Sequence, residues 1–362
     1  MAEQVRYGLV GTGMMGVEHI ANLTITPGAV ITALADPAEG SLGWARDALS
    51  DRASGATAFG SVEALAASGL CDAVIVSSPN YTHRSVLEPL FDAGLHILCE
   101  KPLATTLDDC RWIVERADRS DRVFWTAMEY RYMPPAQAFI EEIRNGAIGR
   151  LQMLSIREHR FPFLVKVADW NRFNRNTGGT MVEKCCHFFD LMRLITQSEA
   201  VRVYCSGAMD VNHVDESYGG ERPDIIDNSY TTVDFANGVR AMLDLSMFAD
   251  GAENQEEITA VGDQARLDVL IPEGALVHSP RVGFRNPKQV TRRVVEVEQA
   301  ALDAGSHHGS TFYEHQRFNA AVRGSGPVEV TARDGMLAVA IGTAAEISAR
   351  EKRVVEMKEL GF

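Results

Sequence analysis

The chain has 362 residues, of which 46% are hydrophobic and 23% charged. At roughly 100–200 residues per domain, that balance suggests two globular domains, each able to bury a core. The formal net charge of −14 argues against a nucleic-acid partner, which needs a basic footprint, and against an anionic membrane surface.

The first third alternates short apolar runs with helical stretches. Val5–Val10, Val30–Ala35, Ala73–Ser77, His96–Cys99 and Val123–Thr126 read as strands buried on both faces. Glu18–Thr24, Ser41–Leu49, Thr82–Ala93 and Leu107–Arg119 read as helices between them. The alternation predicts an α/β domain, a Rossmann-type doubly wound parallel sheet over residues 1–127. A helix, Pro134–Asn145, follows near the junction.

From about Arg150 the pattern changes. Asn228–Phe235 and Val239–Met247 flank the turn signal Ala236-Asn237-Gly238, and Glu257–Val261, Ala265–Ile271 and Gln289–Val297 continue as strands. Two late helices fall near Ser310–Arg323 and Ala332–Arg350, and Asp210–Asp227 reads as a long loop. Residues 128–362 are therefore expected to form an α+β domain with a large, mainly antiparallel open sheet that serves substrate binding and oligomerisation. No segment approaches 18 uninterrupted apolar residues, so no membrane span is expected.

The six cysteines, Cys71, Cys99, Cys110, Cys185, Cys186 and Cys205, form no CxxC pair. That disfavours a structural zinc site and suits buried thiols in a reducing compartment. The first residues enter a strand without a basic, then apolar, leader pattern, so a cytoplasmic protein is expected.

Gly11-Thr12-Gly13-Met14-Met15-Gly16 fits GxGxxG, directly after one strand and opening a helix. The first glycine permits the tight turn, the second lets backbone approach a pyrophosphate, and the third lets helix and strand pack closely. Asp36 ends the next strand, where a carboxylate accepts from ribose hydroxyls and repels a 2′-phosphate. The expected cofactor is NAD. An ordinary strand–glycine–helix turn with an unrelated acid is the competing reading, and the agreement of strand, glycines and acid weighs against it.

Three further motifs carry a resemblance: Ser77-Ser78-Pro79-Asn80-Tyr81-Thr82-His83 after one strand, Glu100-Lys101-Pro102 after the next, and the glycine-rich lead Thr177-Gly178-Gly179 running to His187 and Asp190. With the glycine loop, the whole chain resembles the glucose-fructose oxidoreductase / inositol dehydrogenase / rhizopine-catabolism (Gfo/Idh/MocA) family. The resemblance implies that Lys101 and His187 act at a substrate hydroxyl beside the nicotinamide. It puts Glu183 where the family has Asp, and Ser78, Pro79, Asn80, His83, Glu100, Lys101 and Pro102 at the cofactor. Lys184 and Cys185 stand where the family often has small or apolar residues.

The residues' own chemistry agrees. Lys101 lies just past a strand's C-terminal end, where open α/β sheets bind ligands, and its ammonium suits a developing alkoxide. Glu183, His187 and Asp190 are spaced to share one face of a helix, on which either acid can orient the imidazole. A satisfied core histidine is the alternative there. HExxH is absent and no metal is expected.

Tyr132, Trp170, Arg172, Asp190 and His307 are candidate contacts to a polyhydroxylated small molecule. The arginine group Arg157, Arg160, Arg172 and Arg175 suits either an acidic sugar or plain solvated charge. The functional expectation is NAD-dependent hydride transfer at a secondary hydroxyl or ketone of a sugar or cyclitol. The alternatives are a redox-neutral glycoside hydrolase or lyase acting through a transient keto-sugar, and a non-catalytic NAD-binding regulator. An uncovered sheet face and the resemblance both point to a homodimer or homotetramer.

Overall fold

The computed structural model describes residues 4–49 and 55–362. In chain order it begins β1 (Val5–Val10), α1 (Met14–Ile25), β2 (Ala29–Ala35), α2 (Glu39–Leu49), β3 (Thr57–Phe59), α3 (Val62–Ala66), β4 (Ala73–Val76), α4 (His83–Asp92), β5 (His96–Glu100), α5 (Leu107–Asp118), β6 (Phe124–Ala127) and α6 (Pro134–Arg144). It continues β7 (Leu151–His159), α7 (Asn174–Thr177), α8 (Thr180–Glu183), α9 (Cys186–Thr196), β8 (Ala200–Ala208), β9 (Asn228–Phe235), β10 (Arg240–Ser246), β11 (Glu256–Gly262), β12 (Ala265–Ile271), β13 (Ala275–Pro280) and β14 (Thr291–Val294). The last elements are α10 (Gln299–Asp303), α11 (Ser310–Val322), α12 (Ala332–Glu351) and β15 (Val355–Glu356).

The expected strands and helices of the first third all form, with ends shifted by a few residues. β3 and α3 are additions. β3 is three residues long and largely exposed, too short to carry a period. α3 does carry a local signal, since Ser61 caps it by accepting from the Ala64 amide.

The chain packs as two compact units. The first takes the described residues up to Tyr132 and also Val297–Val339; the second takes Met133–Glu296 and Ala340–Phe362. This differs from one boundary after residue 127, because α11 returns to the Rossmann unit. There Phe318 packs with its ring centroid 6.1 Å from that of Trp125 and 6.2 Å from that of Tyr7, and the Tyr7 hydroxyl donates to Asn319 Oδ1 at 3.0 Å. Such a return is a non-local contact that no local pattern announces.

In the first unit six parallel strands run in the order β3-β2-β1-β4-β5-β6. Strand β4, Ala-Val-Ile-Val, is buried throughout, as a strand covered on both faces should be. The order reverses between β1 and β4, which makes their carboxyl ends the crevice where such sheets bind ligands.

In the second unit nine strands run in the order β14-β13-β12-β11-β7-β10-β9-β8-β15. Every neighbouring pair is antiparallel except β7 with β10. In β9, Ser229, Thr231, Val233 and Phe235 face inward while Tyr230 and Thr232 face solvent, the alternation of a sheet covered on one side. Met181 of α8 meets the inward Ser229 and Thr231 hydroxyls, and Ser348 of α12 accepts from the Cys205 amide at 2.8 Å.

Among the described residues no helix is long and apolar enough to cross a membrane. All six cysteines are buried and in the thiol form, with no disulfide between them.

Candidate functional site

The glycine loop has the geometry its sequence requires. Gly11 has φ +86°, and a Cβ there would stand 2.5 Å from the Ser78 amide nitrogen. A Cβ on Gly16 would stand 2.4 Å from the Gly11 carbonyl oxygen, so only glycine lets α1 approach β1 this closely. At Gly13 no atom of the described residues beyond its own neighbours and helix lies within 4 Å of that position, which leaves backbone open to a ligand at the start of α1. The first-turn amides of that helix lack helical acceptors and carry its positive dipole end, a fit for a pyrophosphate.

Asp36 Oδ2 accepts from the Thr12 amide at 2.8 Å and from its hydroxyl at 3.3 Å, while Oδ1 accepts from the Ala38 amide at 2.8 Å. The acid at the ribose position therefore also braces the loop. Ser77 Oγ donates to the Gly11 carbonyl at 2.7 Å, tying the segment after β4 to the glycine turn.

In that segment Thr82 donates to Ser78 Oγ, and Asn80 is buried. His83 lies fully buried with Nδ1 3.1 Å from the Leu103 carbonyl and Nε2 3.2 Å from the Ser78 carbonyl. Burial pushes its pKa down, and it braces the loops that follow β4 and β5.

Glu100 closes β5, and a cis peptide joins Lys101 to Pro102. The Glu100 carboxylate is buried, accepts from the Lys101 amide at 2.9 Å and lies 3.0 Å from His19 Nε2. Burial alone would raise it, but His19 and Lys101 outweigh that and hold it below the usual carboxylate range. Glu129, just past β6, is pushed to about 7 by burial and by Glu100. Glu314 of α11 accepts from Trp125 Nε1 at 3.1 Å and is pushed well up by burial, Glu129 and Glu100. Sequence reasoning missed His19, Glu129, Glu314 and His315. Only Glu129 carried a signal, its place directly after a strand's carboxyl end.

Two further candidates lie in the first unit. His307 Nδ1 is 2.7 Å from Glu18 Oε1, and Ser306 and Thr311 also donate to that carboxylate. Burial opposes ionisation of Glu18, yet His307 and Ser306 bring it down to about 2. Tyr132 is buried with its ring 6.1 Å from that of Trp125.

In the second unit the expected single helix through Glu183, His187 and Asp190 is broken. α8 ends at Glu183 and α9 starts at Cys186; the Lys184 and Cys185 amides both return to the Thr180 carbonyl, at 3.0 and 3.2 Å. His187 and Asp190 share α9, whereas Glu183 belongs to the turn before it. All three are buried. The surrounding run is buried on every side, polar residues included, so it carries no phase from which a break can be read.

Lys184, at its departure from the family pattern, places Nζ 2.9 Å from Glu158 Oε1 on β7. Glu256 pairs with Glu158 across the sheet, and Arg160 approaches Glu158 at 3.7 Å. Burial pushes Glu158 up and Lys184 down, each partly restored by the other.

Trp170 is half-buried beneath Lys166, next to Ala168 and Asp169, which both hold the left-handed conformation at φ 56° and 52°. Arg172 is buried and donates through Nε to Glu216 at 3.1 Å, an acid that His213 and Tyr218 also bind. Arg175 pairs with Glu221, and Arg157 with Asp244 and Glu257. The arginine group is thus matched by acids of its own unit.

Among the described residues no group of three or more His, Cys, Asp or Glu side chains is placed to hold a metal ion.

A parallel sheet whose first turn is open to a pyrophosphate, with a lysine at the end of a nearby strand, has the layout of a dinucleotide-dependent oxidoreductase. Residues 5–128 match the oxidoreductase family's NAD-binding Rossmann fold, and residues 140–357 match its C-terminal alpha/beta domain. The chain belongs to the Gfo/Idh/MocA oxidoreductase family, and NAD is the cofactor of its N-terminal domain.

It is 27% identical to the myo-inositol 2-dehydrogenase of Thermotoga maritima over 367 aligned positions, covering 98% of this chain and 99% of that protein. A solved probable dehydrogenase from Thermotoga maritima has a TM-score of 0.79 at 25% identity, covering 98% of this chain and 99% of the other. A levoglucosan dehydrogenase solved with NADH and levoglucosan shares the fold with a TM-score of 0.83 at 18% identity, covering 98% of this chain and 100% of that one.

Proposed function

We propose that the protein transfers a hydride between the nicotinamide and a secondary hydroxyl or ketone of a sugar or cyclitol. The observation that carries this is Lys101, set just past β5 with its amide donating to the buried Glu100 carboxylate, in a chain of this family. The names of its relatives, a myo-inositol dehydrogenase over nearly the full length and an anhydrofructose reductase, support the substrate class.

Bound on the glycine loop, NAD supplies the hydride acceptor. Asp36 orients its ribose. The Lys101 ammonium stabilises charge growing on the substrate oxygen, and His187 takes the hydroxyl proton, with Glu183 or Asp190 setting its tautomer. Tyr132, Trp170, Arg172 and His307 are candidate substrate contacts, of which Arg172 and His307 already bind acids.

The test is a screen of polyols, cyclitols and sugars by NADH absorbance. Net NADH formation from at least one cyclitol or sugar is expected. Product formation without net NADH would instead favour the redox-neutral alternative.

We also propose a homodimer or homotetramer joined through the outer face of the nine-stranded sheet. Met153, Tyr204, Tyr230 and Met242 share that face in register and are 55%, 42%, 63% and 37% exposed. Light scattering at micromolar concentration is expected to give two or four times 39.6 kDa. The buried thiols support a cytoplasmic setting, which cell fractionation tests.

A further inference from the structure

Two histidines that belong to no sequence motif stand behind Glu100. His19 comes from α1 and His315 from α11, and both are fully buried. His19 Nε2 lies 3.0 Å from Glu100 Oε1, and His19 Nδ1 lies 3.0 Å from His315 Nε2. The rings meet edge to face with centroids 5.1 Å apart.

One placement of the protons in this chain leaves no buried N–H without a partner. A carboxylate only accepts, so His19 Nε2 carries the hydrogen of the first bond. In a neutral ring Nδ1 is then a lone pair, and His315 Nε2–H must donate to it. Burial keeps His315 uncharged. Its Nδ1, which meets no hydrogen-bond partner among the described residues, is a lone pair in this tautomer, so no buried N–H is orphaned.

The groups facing Glu100 come from every side of the first unit. They are His19, the adjacent Lys101 and Cys99, His83 of α4, Glu129 after β6, and Glu314 with His315 on α11, with His307 beside Glu129 and Arg131 beside Glu314. Three carboxyls buried together cannot all ionise. Burial and mutual repulsion push Glu129 and Glu314 up, against the pull of His307 and Lys101 on Glu129, whereas His19 and Lys101 hold Glu100 down.

We propose that His19 and His315 are positioning residues of the reaction: donating in series, they hold the Glu100 carboxylate in place beside Lys101. This rests on the reading that Lys101 acts at the substrate oxygen. Neither ring touches substrate in this account; both act through Glu100.

Loss of the donor raises Glu100 toward its two neighbours, which burial already pushes up, and weakens the counter-charge beside Lys101. Activity that requires the Glu100 carboxylate is present above its pKa and disappears as pH falls through it. A raised Glu100 therefore moves the acid limb of the profile to higher pH.

The experiment compares kcat/KM against pH for the wild type, His19→Leu, His19→Gln and His315→Leu, with any substrate found active. NADH binding is followed by fluorescence. In His19→Leu the acid limb is expected to rise by about one to two pH units, the equivalent of one hydrogen bond to a charged group. His19→Gln, whose side-chain amide can replace Nε2–H, is expected to stay within about half a unit of wild type. His315→Leu is expected to fall between them, and NADH affinity to be unchanged in all three.

Equal thermal destabilisation of the two His19 variants without a shifted limb would mark a merely structural pair and overturn the proposal. If that occurs while Lys101→Met is inactive, the reading of Lys101 survives alone; an active Lys101→Met defeats both. Should His19→Leu not fold, nitrogen-15 NMR of the wild-type imidazoles decides. The Nε2–H tautomer is expected for both rings, and an Nδ1–H tautomer of His19 overturns the proposal.

Discussion

Glu100, Glu129 and Glu314 lie buried together in the first unit, as Glu158 and Glu256 do in the second, yet the two clusters settle their charge by different means. In the second, cations come with the cluster: Lys184 meets Glu158 at 2.9 Å and Arg160 stands 3.7 Å away. In the first, two of the acids are pushed up by burial and the third is served by a histidine pair. An ion pair satisfied inside its own sheet is a structural device. The first cluster keeps its lysine at the end of β5, where sheets of this order bind ligands.

The strongest way to break this comparison is to remove each lysine. Lys101→Met keeps the stem and deletes the charge, so turnover is expected to fall about 10²–10⁴-fold while NADH binding survives. His187→Ala is expected to act similarly, and the double variant to lose less than the sum of the two. Steady-state kinetics with fluorescence titration checks both. Loss of NADH binding as the main defect would make Lys101 a cofactor ligand.

Lys184→Met should do the opposite and damage stability. It strands a buried Glu158, and breaking such a pair typically costs about 3–5 kcal/mol. Glu158 is already pushed to about 7 by burial, so protonation softens the loss, and urea unfolding at pH 6 should show a smaller deficit than at pH 8. Lys184→Met with Glu158→Gln should recover most of it. A neutral effect of the single variant at pH 8 would show that this cluster is not held by its charges.

A smaller effect separates the two roles of Asp36. Wild type is expected to prefer NAD in kcat/KM, because a 2′-phosphate beside this carboxylate is repelled. Asp36→Ala should erode that preference about tenfold or more. It should also lower the melting temperature, since the Thr12 and Ala38 amides lose their acceptor. Equal use of NADP by the wild type would sink the assignment.

The smallest effect sharpens the charge assignment. Glu129 sits at about 7 in the fold, against an ordinary value near 4.3. The folded protein therefore binds more protons than the unfolded chain between those values, and this group's contribution to stability declines as pH rises from about 4.3 to about 7. Glu129→Gln should flatten that part of a melting-temperature profile, and an unchanged slope would contradict it. Glu18, held down near 2, contributes stability above the ordinary carboxylate value that is lost only as pH falls toward 2.

The legible parts of the molecule were those built from local rules. The glycine loop, Asp36, the buried strands and the Ala236-Asn237-Gly238 hairpin follow from backbone sterics and side-chain periodicity over a few residues. Their positions could be read directly, with ends off by a few residues. The break between Glu183 and His187 could not, because a segment buried all round looks the same whether it is continuous or interrupted. The place of Val297–Val339 could not either, since its helix packs on strands and a helix about 300 residues earlier in the chain.

The sequence by itself determined an NAD-binding Rossmann domain, a following mixed α/β domain with a large sheet, and Lys101 at a strand end. These rest on turn conformations, periods and motif spacing, all encoded within a short stretch of chain. Only the tertiary structure decided which charges live together. His19, Glu100, Glu129, Glu314 and His315 come from both ends of the chain, and whether each is ionised depends on burial and on neighbours within a few ångströms. Electrostatic energy in a low-dielectric interior is set by such distances, which exist only once the chain has folded.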